Sequence, residues 1–567
     1  MPDSGSCARG ERMSASEKRL FVLLAALMMA AHLWAGFSRS LWTPDEPRVA
    51  GIAREMLDHG NWASPTLNGE LFTEKPPLYF WAAALAIRAF GVHDWAPRLP
   101  SLLFGFGAAL FTGLAAARAG GQRAGAASTL ALASSALWIQ MTQWATVDSA
   151  VGCAAAGSMW CLIEGRLASD GRRKALWYLG FYVACCVGML AKSVPAIIAP
   201  GAAVLVITAI ERNPRELLRM QPWLGAAIFA AICGPWMLAA WHSGWLAEHL
   251  SVHILHRAVS GQGTGHARGV LYYLGTFPLS FLPATLLLVP AALHFTRGSS
   301  DDPPERRAGV RLFAAWVVGG FIFYSIPMTK RAIYLLPVLP GAAALVGLYV
   351  DSILSGRELG RMAKGFLWAL VALLGILAMT PPLYSVAGGG AGPGAVMLAV
   401  AAVAVVGVSA DALWGGKMAP FWAACVLAVT VALVGLSALT IPEFEPEKSL
   451  APFARLVDRA LAEPGAGEVR LVGYQPDETT RGFASFYLGR RLEVVESVQE
   501  LESILVAPGP KVVITMARNP RTPHRAREMI SVEGLAWVRM MALGKKRVAV
   551  VAANFVPVTD SSVAGEP

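Results

Sequence analysis

The sequence predicts a mainly α-helical, polytopic membrane protein with a small α/β domain at its C-terminal end. Three observations support this prediction: an apolar composition, about thirteen apolar segments of membrane-spanning length, and a different residue pattern after residue 440. Of the 567 residues, 55% are hydrophobic and only 15% are charged, and the mean hydropathy is +0.50. Soluble domains contain about 45–50% apolar and about 25% charged residues. Both departures therefore indicate a membrane protein.

The predicted spans assume a length of ~20 apolar residues for one transmembrane helix. Basic residues cluster in the N-terminal tail, residues 1–19, and in every second loop after it, which the positive-inside rule places in the cytoplasm. The first apolar run could instead be a signal peptide, but the many later spans favour a transmembrane helix. The spans cover approximately residues 20–38, 98–117, 124–141, 145–164, 176–191, 194–210, 222–241, 271–294, 310–327, 332–351, 365–384, 393–411 and 418–440.

Because the basic tail is cytoplasmic, an odd number of spans places residues 441–567 on the opposite, periplasmic side, with residues 20–440 forming the transmembrane domain. Two of the outer loops, 39–97 and 242–270, are long. In the first loop, residues 74–91 are apolar but flanked by charge, which favours a helix lying in the membrane interface. If this segment crosses the membrane instead, the number of spans becomes even and the predicted topology is wrong.

The region after residue 440 changes from long apolar runs to short, β-rich segments. A helical pattern covers residues 449–463, and β-rich runs follow at 468–474, 491–497, 511–517 and 547–554. This alternation predicts a small α/β domain. The sequence has no Walker A motif, so it does not support nucleotide-driven transport. The net charge of +10 comes without any basic segment with interleaved aromatic residues, so we expect no nucleic-acid partner.

Charged residues are concentrated in the loop that follows the first predicted span. A carboxylate pair at a membrane surface can accept a proton, bind a cation or orient a polar substrate. The alternative is a solvated loop whose carboxylates cap helices, and the residues alone leave both interpretations open. The charged residues considered in this loop are Asp45, Glu46, Arg48, Arg54, Glu74 and Lys75.

Other charges lie where membrane proteins rarely have them. Asp148 is at the predicted outer start of a span, where the helix dipole favours a carboxylate, although ionisable residues at such edges are also often functional. Lys192, Lys330 and Arg331 lie in tight outer turns, contrary to the positive-inside rule. A phosphate at this face would compensate these positive charges.

Histidines cluster in the second long outer loop. Together with Glu74 they could bind a divalent, zinc-like metal ion. Their spacing matches no standard zinc motif, so histidines exposed at the surface are the alternative. The loop contains His249, His253, His256, Arg257 and His266.

Several segments, taken in order, form a pattern that is typical of one enzyme family. They are PDEPRVAGIAREMLDHGNW, NGELFTEKPPLYFW, ATVDSA, MLAKSVPAIIAP, YYLGTFPLSFLP, TKRAIYLLPVLP and, in the C-terminal region, SFYLGRRLEVVES. This pattern resembles the aminoarabinose (lipid A) transferase family of the protein-O-mannosyltransferase superfamily, which has the type C glycosyltransferase fold. The turn at Lys192 departs from the family pattern, because it usually has Lys-Gly and here has Lys192-Ser193.

The resemblance and the charge pattern together predict three sets of site residues and a supporting set. The catalytic set is Asp45, Glu46 and Asp148. The set that contacts the donor phosphate is Lys75, Lys330, Arg331 and Tyr334. The supporting set is Arg48, Arg54, Lys192 and Arg257. The metal set is Glu74, His253, His256 and His266, although the spacing of these histidines departs from the family pattern.

The resemblance also implies an inner-membrane enzyme that transfers a sugar, with inversion, from undecaprenyl phosphate to a periplasmic acceptor. Lipid A phosphate is the expected acceptor, and another glycan or a protein hydroxyl is the alternative; the sugar stays open. A transporter or flippase of a lipid-linked substrate is the alternative of another class. Such a protein should have polar residues near mid-bilayer, and because these are scarce here, the sequence favours an enzyme.

Overall fold

The computed structural model describes residues 13–256, 267–297, 302–390, 392–462, 468–518, 528–543 and 547–556. The chain divides into two compact units. The first unit comprises Met1–Gly36, Thr73–Tyr79 and Pro100–Thr440, and the second comprises Phe37–Phe72, Phe80–Leu99 and Ile441–Pro567.

Helices make up most of the described chain. In chain order they are α1 (Ala15–Phe37), α2 (Asp45–His59), α3 (Leu78–Phe90), α4 (Leu99–Gly120), α5 (Gln122–Ala133), α6 (Ala136–Thr142), α7 (Val147–Leu167), α8 (Gly171–Lys192), α9 (Ile198–Glu211), α10 (Arg215–Arg219), α11 (Pro222–Ile232), α12 (Gly234–His242), α13 (Trp245–Glu248), α14 (Tyr272–Ser280), α15 (Thr285–Arg297), α16 (Pro304–Ser325), α17 (Leu339–Leu354), α18 (Arg361–Ala387), α19 (Pro393–Trp414), α20 (Met418–Gly435), α21 (Ile441–Lys448), α22 (Ala451–Leu461), α23 (Glu478–Phe483) and α24 (Val498–Val506). Short 3₁₀ helices cover Ala96–Arg98, Val194–Ile197 and Ala332–Val338, and π-helical turns cover His249–His256, Leu436–Thr440 and Ala484–Leu488.

The strands are fewer and shorter. They are β1 (Thr66–Leu67), β2 (Glu70–Leu71), β3 (Arg470–Tyr474), β4 (Glu493–Val495), β5 (Lys511–Arg518), β6 (Trp537–Leu543) and β7 (Arg547–Ala553).

The apolar helices make the chain a multi-pass membrane protein. In the described residues, nine helices are long and apolar enough to cross a membrane, and the number is eleven if each of two bent pairs is one span. The bent pairs are α11 with α12, at 48°, and α14 with α15, at 107°. The predicted spans 124–141 and 145–164 are not among them. The first is divided between α5 and α6, and the second coincides with α7, whose many small residues and Glu164 lower its hydropathy. The predicted number of thirteen therefore stays a prediction.

The apolar segment predicted to lie in the membrane interface forms helix α3, which has 13 residues. At a rise of 1.5 Å per residue the helix is about 20 Å long. This length is shorter than the ~30 Å hydrocarbon core of a bilayer. Its position relative to the membrane stays a prediction.

The second unit contains a five-stranded sheet in the order β4-β3-β5-β7-β6. Strand β3 pairs in parallel with β4 and β5, whereas β7 pairs antiparallel with β5 and β6. Each of the four β-rich runs forms one of these strands, and α22 lies within the predicted helix at 449–463. Strand β6 was not predicted. Its sequence, WVRMMAL, contains Met and Ala in place of the β-branched residues that usually indicate a strand.

Small residues allow the helices of the first unit to approach closely. On α17, a Cβ atom added to Gly347 would lie 1.9 Å from the Ser128 hydroxyl oxygen and 2.6 Å from the Ala124 carbonyl oxygen, both on α5. Small residues at such contacts are typical of membrane helix packing. The Gly347 position therefore sets the distance between these two helices.

We expect Gly347→Ala to lower the thermal stability of the purified protein, because the added methyl group meets backbone atoms that cannot move away. The matched control is Gly407→Ala on α19, where an added Cβ has no heavy atom within 4 Å. There the substitution should be neutral or stabilising, because alanine favours a helix over glycine by about 1 kcal/mol. Thermal unfolding in detergent measures both variants. Equal melting temperatures for the two would contradict the proposed packing.

Candidate active site

A cavity of about 230 Å³ lies in the first unit where several helices end. Both acidic and basic side chains face it, and most of the rest of the wall is apolar. This combination is typical of a site that binds a polar group at the end of an apolar ligand. The cavity is lined by Glu74, Lys75, Asp148, Val151, Lys192, Val194, Pro195, Ile198, His249, Tyr324, Pro327, Thr329, Ile333, Tyr334 and Pro337.

Asp148 and Lys192 form an ion pair in the wall of this cavity. Asp148 lies in the first turn of α7 and Lys192 is the last residue of α8, so each charge is at the helix end that the dipole favours. The Thr146 hydroxyl donates a hydrogen bond to the second Asp148 oxygen, at 3.1 Å. The Lys192 ammonium also lies 4.6 Å from the centre of the Tyr334 ring. The pair is therefore held in a fixed orientation at the cavity.

Glu74 and Lys75 form a second ion pair in the same wall, with 2.9 Å between Lys75 Nζ and Glu74 Oε1. Their local backbone is restricted by Pro76 and Pro77, because the residue before a proline is kept in an extended conformation. About a fifth of each charged side chain is exposed. The EKPP motif thus presents one acid and one base to the cavity.

His249 belongs to the histidine cluster of the second long loop, although it was not in the predicted metal set, and it lies in the cavity wall. Its Nδ1 donates a hydrogen bond to the Thr73 carbonyl oxygen at 2.8 Å, because that oxygen can only accept. The imidazole stacks on Trp245, with 4.7 Å between the ring centres. The spacing of four residues places both rings on one helical face. This spacing is the sequence signal that distinguishes His249 from the other histidines of the loop.

The predicted metal site stays a prediction. Glu74 and His249 line the same cavity, but among the described residues no three His, Cys, Asp or Glu side chains form a group that could hold a metal ion. The side chains of His253 and His256, and the residues Arg257 and His266, lie outside the described residues. Because the described residues do not form a complete ligand set, we derive no chemical step through a metal.

The predicted phosphate contacts in the TKRAIYLLP motif do not all face the cavity. Tyr334 lines it, whereas Lys330 and Arg331 do not. The Lys330 ammonium is buried and donates hydrogen bonds to the carbonyl oxygens of Arg268, at 3.1 Å, and Pro327, at 2.5 Å. Lys330 therefore ties together two chain segments of the first unit, and its predicted contact with phosphate has no support in this geometry.

Thr329 precedes Lys330 and does line the cavity. Its buried hydroxyl oxygen has no hydrogen-bond partner among the described residues. A buried hydroxyl without a partner is unusual in a folded protein. Thr329 is thus a candidate contact for a bound ligand; it begins the TKRAIYLLP motif but was not among the predicted site residues.

Asp45 lies in the second unit, in the first turn of α2. Its side chain is 38% exposed and accepts a hydrogen bond from Arg48 Nη2 at 3.0 Å. Arg48 also pairs with Glu478. The exposed carboxylate of Asp45 can contact a substrate, and Arg48 fixes its orientation.

Glu46, the neighbour of Asp45, is fully buried and binds two arginines. Arg39 Nη1 lies 2.5 Å from one carboxylate oxygen and Arg98 Nε lies 2.7 Å from the other. Burial alone would raise the pKa of Glu46, but the charges of Arg39 and Arg98 lower it to about 2. The carboxylate is thus enclosed by protein, and this geometry gives Glu46 a structural role in place of the predicted catalytic one.

Arg54, a predicted supporting residue, also contacts protein groups of the second unit. Its Nη1 donates a hydrogen bond to the Phe486 carbonyl oxygen at 2.5 Å, and its Nε lies 3.4 Å from Asp58. Arg54 therefore holds α2 against the π-helical turn at Ala484–Leu488.

This chain is similar in sequence and in fold to several known proteins. The family model described as dolichyl-phosphate-mannose-protein mannosyltransferase matches residues 74–239. Undecaprenyl phosphate-alpha-4-amino-4-deoxy-L-arabinose arabinosyl transferases are similar in sequence. The protein from Yersinia enterocolitica is 29% identical over 58% of this chain and 58% of its own length. The protein from Pseudomonas savastanoi is 29% identical over 63% of this chain and 66% of its own length. The sequence match thus spans about three fifths of the first of these relatives.

The fold extends the similarity over nearly the whole chain. The crystal structure of ArnT from Cupriavidus metallidurans bound to undecaprenyl phosphate matches with a TM-score of 0.76 and 21% identity, covering 98% of this chain and 100% of that one. The resemblance to the aminoarabinose transferases is confirmed. The fold of this chain is therefore that of the matched ArnT structure.

We expect Ser193→Gly to stabilise the protein. Ser193 ends α8 with φ 62° and ψ −152°, a conformation that is almost restricted to glycine. Holding a serine there costs about 1–3 kcal/mol, so glycine should raise the melting temperature measured in detergent. The matched control is Ser243→Gly, since Ser243 ends α12 with an ordinary φ of −82°. A lower melting temperature for Ser193→Gly would contradict the assigned strain.

We expect Glu46→Gln to destabilise the protein, because it removes the buried carboxylate that both Arg39 and Arg98 bind. Breaking a buried ion pair in this way costs about 3–5 kcal/mol. The surface pair of Glu493 with Arg470 provides the control, and Glu493→Gln should cost about 0–1 kcal/mol. Because the pKa of Glu46 is below its ordinary value of 4.5, its stabilising contribution is complete above pH 4.5 and is lost as the pH falls towards 2. Wild-type melting temperatures measured across this range should fall more steeply than those of the variant.

Proposed function

We propose that the chain is an inverting glycosyltransferase that moves a sugar from undecaprenyl phosphate to lipid A phosphate at the periplasmic face of the inner membrane. The N-terminus is then cytoplasmic and residues 441–567 are periplasmic. The observation that carries the proposal is the cavity lined by Lys75, Lys192 and Tyr334 in a chain with the fold of ArnT. The names of the sequence relatives support the donor, the sugar and the type of reaction.

The donor is a phosphodiester, so bond cleavage at the anomeric carbon transfers the bonding electron pair to the phosphate oxygen. Negative charge therefore grows on the phosphate in the transition state. Lys75 and Lys192 stabilise that charge, and the hydroxyl groups of Thr329 and Tyr334 can donate hydrogen bonds to it. Groups that are fixed before the reaction are effective because they need no reorganisation.

The role of Asp45 depends on the acceptor. A phosphate acceptor is already anionic, so Asp45 would orient the sugar or stabilise positive charge at the anomeric carbon. A hydroxyl acceptor must lose a proton as it attacks, and Asp45 would then be the general base. The second case covers the alternative acceptors, another glycan or a protein hydroxyl, and the family model that matches residues 74–239 is described as acting on protein.

We expect Lys75→Met to lower the rate of sugar transfer by about 10²–10³-fold, the usual loss when one preorganised electrostatic contact is removed. Lys417→Met, at an exposed lysine before α20, is the matched control and should keep wild-type activity. The assay expresses each form in a Gram-negative strain that lacks its own aminoarabinose transferase. Mass spectrometry of lipid A then measures the added sugar.

The same assay tests the role of Asp45 with the variant Asp45→Asn. Asp58→Asn is the matched control, because Asp58 is an exposed acid on the same helix. We expect lipid A to carry the added sugar in strains that express the wild type or either control variant. We expect lipid A to lack it in strains that express Lys75→Met or Asp45→Asn. An unmodified lipid A with the wild type would overturn lipid A as the acceptor. Full activity of Lys75→Met would overturn the assignment of the cavity to the donor phosphate.

A further inference from the structure

A second, apolar cavity lies in the first unit, and we call it the slot. It is lined by one face each of α1, α5 and α20 and by parts of α15, α17 and α18. Its volume is about 160 Å³. Apolar cavities of about 150 Å³ in other proteins bind small hydrocarbons. The slot can therefore hold part of a hydrocarbon chain.

The length of the slot matches the thickness of one leaflet. Along α5 it extends from Arg123 to Ser134, and along α20 it extends from Ala419 to Val429. At 1.5 Å per residue these stretches are about 15–17 Å long. Half of the hydrocarbon core of a bilayer is about 15 Å. The slot is therefore about as long as one leaflet is thick.

The slot and the candidate active site use opposite ends of the same helix. The slot is lined by the second half of α17, from Val346 to Leu354, whereas the candidate active site is lined by Pro337, just before α17 begins. With the proposed orientation, the slot belongs to the cytoplasmic leaflet. A donor bound with its phosphate at Lys75 has its headgroup in the other leaflet.

One polar atom in the slot wall has no partner. The indole Nε1 of Trp422 is buried and has no hydrogen-bond acceptor among the described residues. Trp422 lies one turn after the start of α20, towards the end of the slot that Glu17 and Arg123 line. The indole N–H can only donate, so an ester carbonyl would be a matching acceptor. A polyprenyl tail has no such group.

The end of the slot near Trp422 carries positive charge. Glu17 and Arg123 form an ion pair in the wall there, and their charges cancel. Lys18 and Arg19 follow Glu17 on α1 and are exposed. Exposed basic residues at a membrane surface attract anionic lipid headgroups.

We propose that the slot binds one acyl chain of an anionic glycerophospholipid of the cytoplasmic leaflet. The ester carbonyl accepts a hydrogen bond from Trp422, and the headgroup lies near Lys18 and Arg19. The bound lipid fills space between six helices and so stabilises the first unit. This binding is separate from the proposed transfer reaction.

The experiment uses the full chain in detergent after removal of co-purified lipid. Phosphatidylglycerol is added back, and native mass spectrometry and thermal unfolding measure binding and stability. We expect one tightly bound phosphatidylglycerol per chain and a rise of several degrees in melting temperature. Phosphatidylcholine with the same acyl chains should bind at least several-fold more weakly.

Two variants test the place of binding. Ala423→Phe fills the slot and should abolish the stabilisation by phosphatidylglycerol, whereas Ala404→Phe, at an exposed position on α19, should keep it. Trp422→Phe should weaken binding several-fold, and Trp414→Phe, at an exposed tryptophan, should not. Because the Trp422 substitution only removes the N–H and shortens the ring system, it serves as the test if Ala423→Phe does not fold.

Three results would overturn the proposal. One is equal stabilisation of Ala423→Phe and the wild type by phosphatidylglycerol. The second is an unchanged affinity for phosphatidylglycerol in Trp422→Phe. The third is displacement of phosphatidylglycerol by undecaprenyl phosphate in a form that carries Lys75→Met, since that would make the slot a site for the carrier tail. None of these three results depends on activity in the lipid A assay. The lipid-binding test therefore remains valid if the proposed function is wrong.

Discussion

The pairing of opposite charges in apolar surroundings is the constraint on which the rest of the structure depends. An ion that is moved out of water costs several kcal/mol unless a partner compensates it. In the first unit, Asp148 and Lys192 compensate each other at the ends of α7 and α8. In the second unit, Glu46 compensates both Arg39 and Arg98. Because helix ends are where a charge is best tolerated, the Asp148–Lys192 pair of the first unit lies where two helices end, and there it lines the cavity.

The sequence predicted the parts of the fold that depend on long, regular patterns. Apolar runs of membrane-spanning length identified the long helices, and β-branched runs identified four strands of the sheet. The elements that were predicted incorrectly or not predicted have local causes. The span predicted at 124–141 is divided between two short helices at Ser134 and Ser135, and serine readily forms hydrogen bonds that compete with a helix. Strand β6 has few β-branched residues and is an edge strand, held by pairing with β7 alone, so its own residues indicate it weakly.

The site was predictable where a motif combines a charge with a restricted backbone. Lys75 next to two prolines, and Lys192 at the end of a helix, both line the cavity as the motifs implied. The sequence could not show which of two neighbours in a motif is enclosed by protein, because side chains of adjacent residues point in different directions. Glu46 and Lys330 lie beside Asp45 and Thr329, and both are buried against protein groups. Which of two adjacent polar residues is enclosed depends on distant segments, such as the one that contributes Arg98.

The charge balance of the cavity bears on how it would favour the transition state of the proposed reaction. Lys75 and Lys192 each pair with a carboxylate, Glu74 and Asp148, so the charges of these four residues sum to zero. The donor phosphodiester carries one negative charge, and the phosphate that leaves carries nearly two at neutral pH. A lysine that also pairs with a carboxylate binds the singly charged donor phosphate weakly. The same lysine stabilises the phosphate more strongly as a second negative charge develops on it. Interactions that strengthen along the reaction lower the barrier, whereas those that are equal in both states do not. Carboxylates beside the phosphate-binding lysines are therefore compatible with catalysis, because they limit ground-state binding.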